Sequence, residues 1–124
     1  MVIRYLFLDD ERVPSDVTWV PIGTGKSFHE SRGAPWEIVR SYDEAINWVL
    51  KNGIPNVISF DHDLGWDEQG GVIGKTGYDF ARWLIEYDLD TNTMPVDFSF
   101  TVHSMNPIGA RNIKSLLDNY LMRK

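Results

Sequence analysis

Cysteine is absent from this 124-residue chain, which removes disulfides, thiolate nucleophiles and zinc–thiolate sites at once. Long apolar runs are absent too: no stretch approaches the ~18 residues that a membrane-spanning helix needs. The first apolar segment, Val2 to Leu8, stops at two aspartates and is too short for a signal-peptide core with a following cleavage site. A cytoplasmic protein without a membrane partner is therefore expected. Positive charge is scarce, with 12 Lys and Arg against 18 Asp and Glu and a net charge of −6. A surface of that sign does not neutralise many phosphates, so no long nucleic acid is expected as a partner; a small phosphorylated ligand or an RNA terminus held at one local site remains compatible. Repeats, low-complexity tracts and long linkers are also missing, and nothing in the composition sets an oligomeric state.

What is present is ordinary globular material. Hydrophobic residues make up 43% and charged residues 24% of the chain, with five Trp, five Tyr and six Phe, enough to bury a core without a disulfide or structural metal. At roughly 150 residues per domain, residues 1–124 read as one domain.

Val2 to Leu8 is a nearly continuous β-prone run ending in Asp9-Asp10-Glu11, the pattern of a buried parallel strand. From Pro14 to Pro35 the chain has scattered Pro, Gly and Ser without a period, an irregular excursion with room for a short hairpin around Gly23-Thr24-Gly25. Glu37 to Ser41 is a second short strand. Ser41 and Glu44 form a capping box for a helix whose apolar face is Ala45, Ile46, Val49 and Leu50, ended by Gly53 and Pro55. Val57 to Phe60 is a third strand, followed by Asp61-His62-Asp63. A glycine-rich loop from Gly65 to Gly77 leads to a helix capped by Thr76, with Asp79 three residues on. Phe98 to Val102 is a fourth strand ending at His103-Ser104; Asn106 and Pro107 then open an amphipathic last helix.

Strands separated by helices imply an α/β doubly wound parallel sheet with right-handed crossovers and spatial order 2-1-3-4. The switch point lies between strands 1 and 3, where ligands bind beyond the strand C-termini. Both acid clusters fall there, so residues far apart in sequence should meet across one crevice.

Asp9, Asp10, Asp61 and Asp63 at adjacent strand ends repel one another unless a cation neutralises them. An all-oxygen set suits a hard divalent metal, magnesium or manganese. His62 and His103 follow neighbouring strands and are candidates for proton transfer or metal ligation; His29, in the excursion, reads as a bystander. Ser104, Asn106 and Arg111 at the start of the last helix form a candidate phosphate-binding wall, with backbone N–H groups and a guanidinium fork. Arg12 can pair with the first acids or reach a phosphate. Lys75 and Thr76 lack P-loop spacing, and their loop reads as a flap over the site that could add Thr76 to the phosphate contacts. Trp36 and Trp66 could stack on a base, although packing is the commoner fate of tryptophan.

Leu6-Phe7-Leu8-Asp9-Asp10-Glu11 and Ile58-Ser59-Phe60-Asp61 resemble the strands of two-component receiver domains that carry the acidic pair and the phosphoacceptor aspartate. The chain departs from receivers where their fifth strand and its lysine would follow. The fuller pattern is Leu-Asp-Asp-Glu-Arg-Val-Pro, Ser-Phe-Asp-His-Asp-Leu-Gly, Thr-Gly-Tyr-Asp and Val-His-Ser-Met-Asn-Pro-Ile-Gly-Ala-Arg-Asn. It is similar to the cyclic-phosphate-processing receiver-like family, in order from residue 6 to residue 113. That resemblance implies a receiver-like (flavodoxin-like) fold and a role in processing cyclic phosphates such as those at RNA ends or on nucleotides; a cyclic phospho-sugar is a further candidate substrate. It places Asp9, Asp10, Asp61, His62, Asp63 and His103 in the active site.

The expected activity is a metal-dependent phosphoesterase with His103 as principal general acid/base and His62 as the alternative donor or a metal ligand. The competing readings are a signalling receiver phosphorylated on Asp61 and a nucleotide-binding module without turnover. A topoisomerase-primase-like nuclease site also matches an acid after strand 1 and Asp61-x-Asp63, but charge and size disfavour a polynucleotide substrate.

Overall fold

A computed structural model describes residues 2–19, 21–23, 33–65 and 74–124. Four short parallel strands form the centre: β1 (Tyr5–Leu8), β3 (Trp36–Val39), β4 (Val57–Phe60) and β5 (Ser99–Val102). They lie in the order β3-β1-β4-β5, the arrangement expected from alternating strands and helices. The excursion contributes a 3₁₀ turn at Pro14–Asp16 and a two-residue strand, β2 (Ile22–Gly23). β2 pairs antiparallel with β5, Ile22 opposite Val102 and Gly23 opposite Thr101. It takes the sheet edge where a receiver's fifth strand would lie, and no parallel strand follows β5 among the described residues. The rest of the predicted hairpin, with His29, Trp66 and most of the glycine-rich loop, lies outside the described residues.

The helices are α1 (Tyr42–Asn52), α2 (Gly77–Thr91) and α3 (Pro107–Arg123). Their caps follow from side-chain chemistry. Ser41 accepts the Glu44 N–H, Thr76 and Asp79 form a reciprocal box, and Asn106 accepts the Gly109 N–H with Pro107 at the first helical position. At α1 the box is half made, because the Glu44 carboxylate accepts from the Arg40 N–H. No helix is long and apolar enough to cross a membrane among the described residues.

Strand alternation sorts the core into two layers. Leu6, Leu8, Val39, Ile58, Phe60, Phe100 and Val102 face one way and pack with Ala45 and Val49 of α1, Phe80 and Leu84 of α2, and Ile113 and Leu117 of α3. Phe7 faces the other way with Val17, Trp19, Trp36 and Ile38. All three helices thus cover one face. The winding expected from connectivity holds, but the second face is covered by the excursion. Trp36 belongs to this layer, edge-on to Tyr5 at 5.2 Å and Phe7 at 6.1 Å, so it packs instead of waiting for a base.

Candidate functional site

Register sets the site. Phe7 on β1 pairs with Ser59 on β4, and Ser59 with Thr101 on β5. Two residues further along, on the same face by alternation, come Asp9, Asp61 and His103. The ladder holds past the strand ends: Asp9 N–H donates to Val39 O (3.1 Å), Asp61 N–H to Leu8 O (2.9 Å) and His103 N–H to Phe60 O (2.9 Å). Three side chains distant in sequence are therefore fixed on one rung by backbone hydrogen bonds.

Asp9 is fully buried. Its Oδ1 accepts the N–H groups of Glu11 (2.9 Å) and Arg12 (2.8 Å), which turns the chain sharply after β1. Its Oδ2 lies 3.0 Å from His103 Nε2. Burial raises the Asp9 pKa, but the hydrogen bonds from His103, Arg12 and Glu11 outweigh it and hold the carboxyl at about 2. Asp61 has the opposite balance. Burial, then the Asp9 charge, push it up to about 6 against the Ser104 hydrogen bond and the Arg12 guanidinium. Asp10, more exposed, is raised by burial and by Asp9. Carboxylate oxygens of Asp9, Asp10 and Asp61 all lie within 4.8 Å of one another, and this donor set could hold a metal ion.

Asp63 is not in that group. Its carboxylate accepts from Asn106 Nδ2 (3.4 Å) and lies 2.9 Å from His62 Nδ1. The metal quartet expected from sequence is thus divided, three carboxylates converging and Asp63 orienting a histidine, because the chain bends at His62 instead of continuing as an extended strand. The His62 ring packs against the first turn of α3. A Cβ on Gly109 would lie 2.4 Å from His62 Cγ, so only glycine leaves room for the ring. Gly77 is equally constrained: a Cβ there would lie 1.9 Å from Asp61 O, and its N–H donates to His62 O at 2.9 Å. These glycines let α2 and α3 close on the Asp61-His62 turn. Gly109→Ala is therefore expected to keep cation binding while lowering any turnover that depends on the His62 position by about tenfold, which steady-state kinetics beside calorimetric cation titration would show.

His103 sits where topology predicts, beside Asp9, but it is wholly buried. Its Nδ1 is 2.7 Å from Ser59 Oγ, its ring stacks on Phe7 at 4.3 Å, and its backbone carbonyl accepts the Trp19 indole N–H. Burial lowers its pKa against the opposing pull of Asp9. With both ring nitrogens engaged, this arrangement offers no nitrogen to a ligand, the reverse of what a general acid at His103 requires. Arg12 is half-buried, its Nη1 3.6 Å from Asp9 Oδ2 and 3.9 Å from Asp61 Oδ2, with its guanidinium over the Trp19 ring at 5.2 Å. Ser104 bonds Asp61 through its side chain and accepts the Asn106 N–H. Arg111 is exposed, its Nε donating to Pro107 O on its own helix, and makes no ion pair with the acid cluster among the described residues. The Thr76 hydroxyl is committed to its cap, and Lys75 is exposed.

Two contributions escaped the sequence. Arg40 Nη1 donates to Arg12 O (2.6 Å) and Asp9 O (3.3 Å), pinning the turn that carries Asp9 to Arg12. A lone arginine before a helix cap gives no signal of that. Ser59 and Thr101 lie beneath the rung, and their signal was present: polar residues two positions before Asp61 and His103 on otherwise apolar strands.

A sheet of order β3-β1-β4-β5 with acids at the ends of β1 and β4 is the receiver-like class of α/β fold. Within it, the chain belongs to the cyclic-phosphate processing receiver domain family, whose profile matches residues 4–119. No curated protein and no solved structure gives a significant match.

Proposed function

We propose that the protein is a metal-dependent phosphoesterase that opens a cyclic phosphate on a small phosphorylated ligand or an RNA terminus, with magnesium or manganese held by Asp9, Asp10 and Asp61. The supporting observation is the convergence of those carboxylates within 4.8 Å at the switch point. The fit is chemical. All donors are hard oxygens, and the rise of Asp61 to about 6 marks negative charge that Arg12 alone leaves under-compensated. A divalent cation bound there supplies positive charge to the phosphoryl oxygens.

The chain's own residues supply the rest. Arg12 holds a guanidinium beside the carboxylates, where it can turn to a phosphoryl oxygen. Ring opening adds water across one P–O ester bond: the water oxygen bonds to phosphorus, the bond to one ring oxygen breaks, and that oxygen needs a proton. His62 is partly exposed, and its Nδ1 side is oriented by Asp63, so Nε2 is the nitrogen that can carry the proton. The buried His103 holds Asp9 in place, and Ser104 holds Asp61.

Metal-free protein incubated with 2′,3′-cyclic nucleotides, 2′,3′-cyclic-ended RNA and cyclic phospho-sugars, with magnesium, manganese or chelator, should release a ring-opened monoester only with metal. Binding without product would support the nucleotide-binding module. A phosphorylated Asp61 after acetyl phosphate treatment would support the signalling receiver. Arg12→Ala separates two roles by sign. Removing its charge should strengthen cation binding roughly three- to tenfold and weaken phosphate-ligand binding, both read by calorimetry.

A further inference from the structure

Beneath the acid cluster a buried chain of polar side chains leads up to Asp9, and its lower members, Thr101 and Ser59, have no part in the proposed reaction. Thr101 Oγ1 donates to Ser59 Oγ at 2.8 Å, Ser59 Oγ lies 2.7 Å from His103 Nδ1, and His103 Nε2 lies 3.0 Å from Asp9 Oδ2. Ser59, His103 and Asp9 are fully buried and Thr101 nearly so.

The direction of the hydrogens decides what this chain does. Asp9 Oδ1 accepts two backbone N–H groups, the environment of an ionised carboxylate. A bare Nε2 lone pair opposite Oδ2 would face another lone pair, so Nε2 carries the hydrogen. In a neutral imidazole Nδ1 is then an acceptor and needs a donor. Ser59 has one hydroxyl hydrogen, and its oxygen already accepts from Thr101, so that hydrogen goes to Nδ1. Stacking on Phe7, with 7° between the rings, fixes the imidazole plane. It does not fix which nitrogen lies on which side, because a half-turn of the ring preserves the plane.

We propose that Ser59 is a positioning residue: by donating its hydroxyl hydrogen to His103 Nδ1 it holds the imidazole as the Nε2–H tautomer and, through that N–H, aims the Asp9 carboxylate at the cation site. The consequence for cation binding rests on the function proposed above, whereas the tautomer does not. Outer partners that orient a ligand in this way typically change metal affinity roughly 10–100-fold when removed.

The test uses ¹⁵N-histidine-labelled, cation-free protein and long-range ¹H–¹⁵N correlation spectra. Variants His29→Gln and His62→Gln identify the remaining signal as His103. The expected spectrum shows a single neutral tautomer with the proton on Nε2. Ser59→Ala should lose that single tautomer and bind Mn²⁺ roughly tenfold more weakly by calorimetry. Thr101→Val, which leaves the Ser59 hydroxyl in place, should keep it. A wild-type ring protonated on Nδ1, or on both nitrogens, overturns the proposal without any variant. An unchanged tautomer and Mn²⁺ affinity in Ser59→Ala overturns it as well. A wild-type protein that binds no Mn²⁺ would instead count against the metal-dependent phosphoesterase, while the tautomer spectrum still decides the role of Ser59.

Discussion

Replacing Asp61 with asparagine is expected to stabilise the cation-free protein at neutral pH, although it removes a buried group from the centre of the site. The Asp61 carboxyl titrates at about 6 in the folded protein against an ordinary value of 3.8. Its folded-state pKa is raised, so the folded protein holds this proton more tightly than the unfolded chain does. Stability from that source is complete below pH 3.8, declines as pH rises through 6, and is gone above it. The size is about 2–3 kcal/mol, little screened because the side chain is only 6% exposed. Asp9 acts in a separate window. Its carboxyl, held at about 2, contributes stability above pH 4 that is lost only as pH falls toward 2. Asp10, also raised, adds to the neutral-pH penalty, so the variant should reduce the slope without abolishing it. At pH 8 the variant should melt roughly 5–10 °C higher than wild type, and the difference should vanish near pH 4. Magnesium or manganese should raise the wild-type melting temperature by mass action and leave Asp61→Asn nearly unmoved. Thermal melts from pH 4 to 8, with and without cation, check both parts. A variant less stable than wild type at pH 8 would show that Asp61 is neutralised by some other partner.

Much of this arrangement was legible in the sequence, for identifiable reasons. The strand β4 was readable from a short apolar run ended by acids, and the caps of α2 and α3 from Thr76 with Asp79 and from Asn106 with Pro107. Each rests on local chemistry within a few residues. The meeting of Asp9 with Asp61 followed from the crossover rule. β2 was not legible, because two residues carry no periodicity and its pairing with β5 is settled by packing over the sheet edge. Covering of the second face by the excursion was hidden likewise: Val17 and Trp19 are single apolar residues without a repeat. The burial of His103 was missed because topology places a residue at a strand end without saying how deep its ring lies. The stacking of His103 on Phe7 and the Trp19 hydrogen bond to its carbonyl come from residues that no helical or strand pattern connects to it. For Asp63 strand alternation gives no guide, because positions two apart share a face in an extended strand; the bend at His62 turns its carboxylate to His62 and Asn106 instead.

In the proposed reaction the depth of His103 leaves His62 as the proton donor, and His62→Ala is expected to have a large kinetic effect. An alkoxide expelled from a cyclic phosphate is a poor leaving group, and a positioned general acid typically contributes roughly 10²–10⁴-fold, or about 3–5 kcal/mol of barrier. His62 is suited by position: its ring is held between Asp63 and Gly109, and Nε2 makes no hydrogen bond among the described residues. Because His62 lies outside the three converging carboxylates, cation affinity should be nearly unchanged in the variant. Asp63→Asn keeps the ring but loses the charged acceptor at Nδ1, so its loss should be smaller, on the order of tenfold. The leaving group gives the sharpest discrimination. Catechol cyclic phosphate expels a phenolate that needs little help from an acid, so His62→Ala should lose far less on it than on a 2′,3′-cyclic nucleotide. Turnover measured at saturating substrate and cation on both compounds tests this directly. Equal losses on the two would mean that His62 acts by holding the turn after β4, and turnover close to wild type on both would remove it from the reaction.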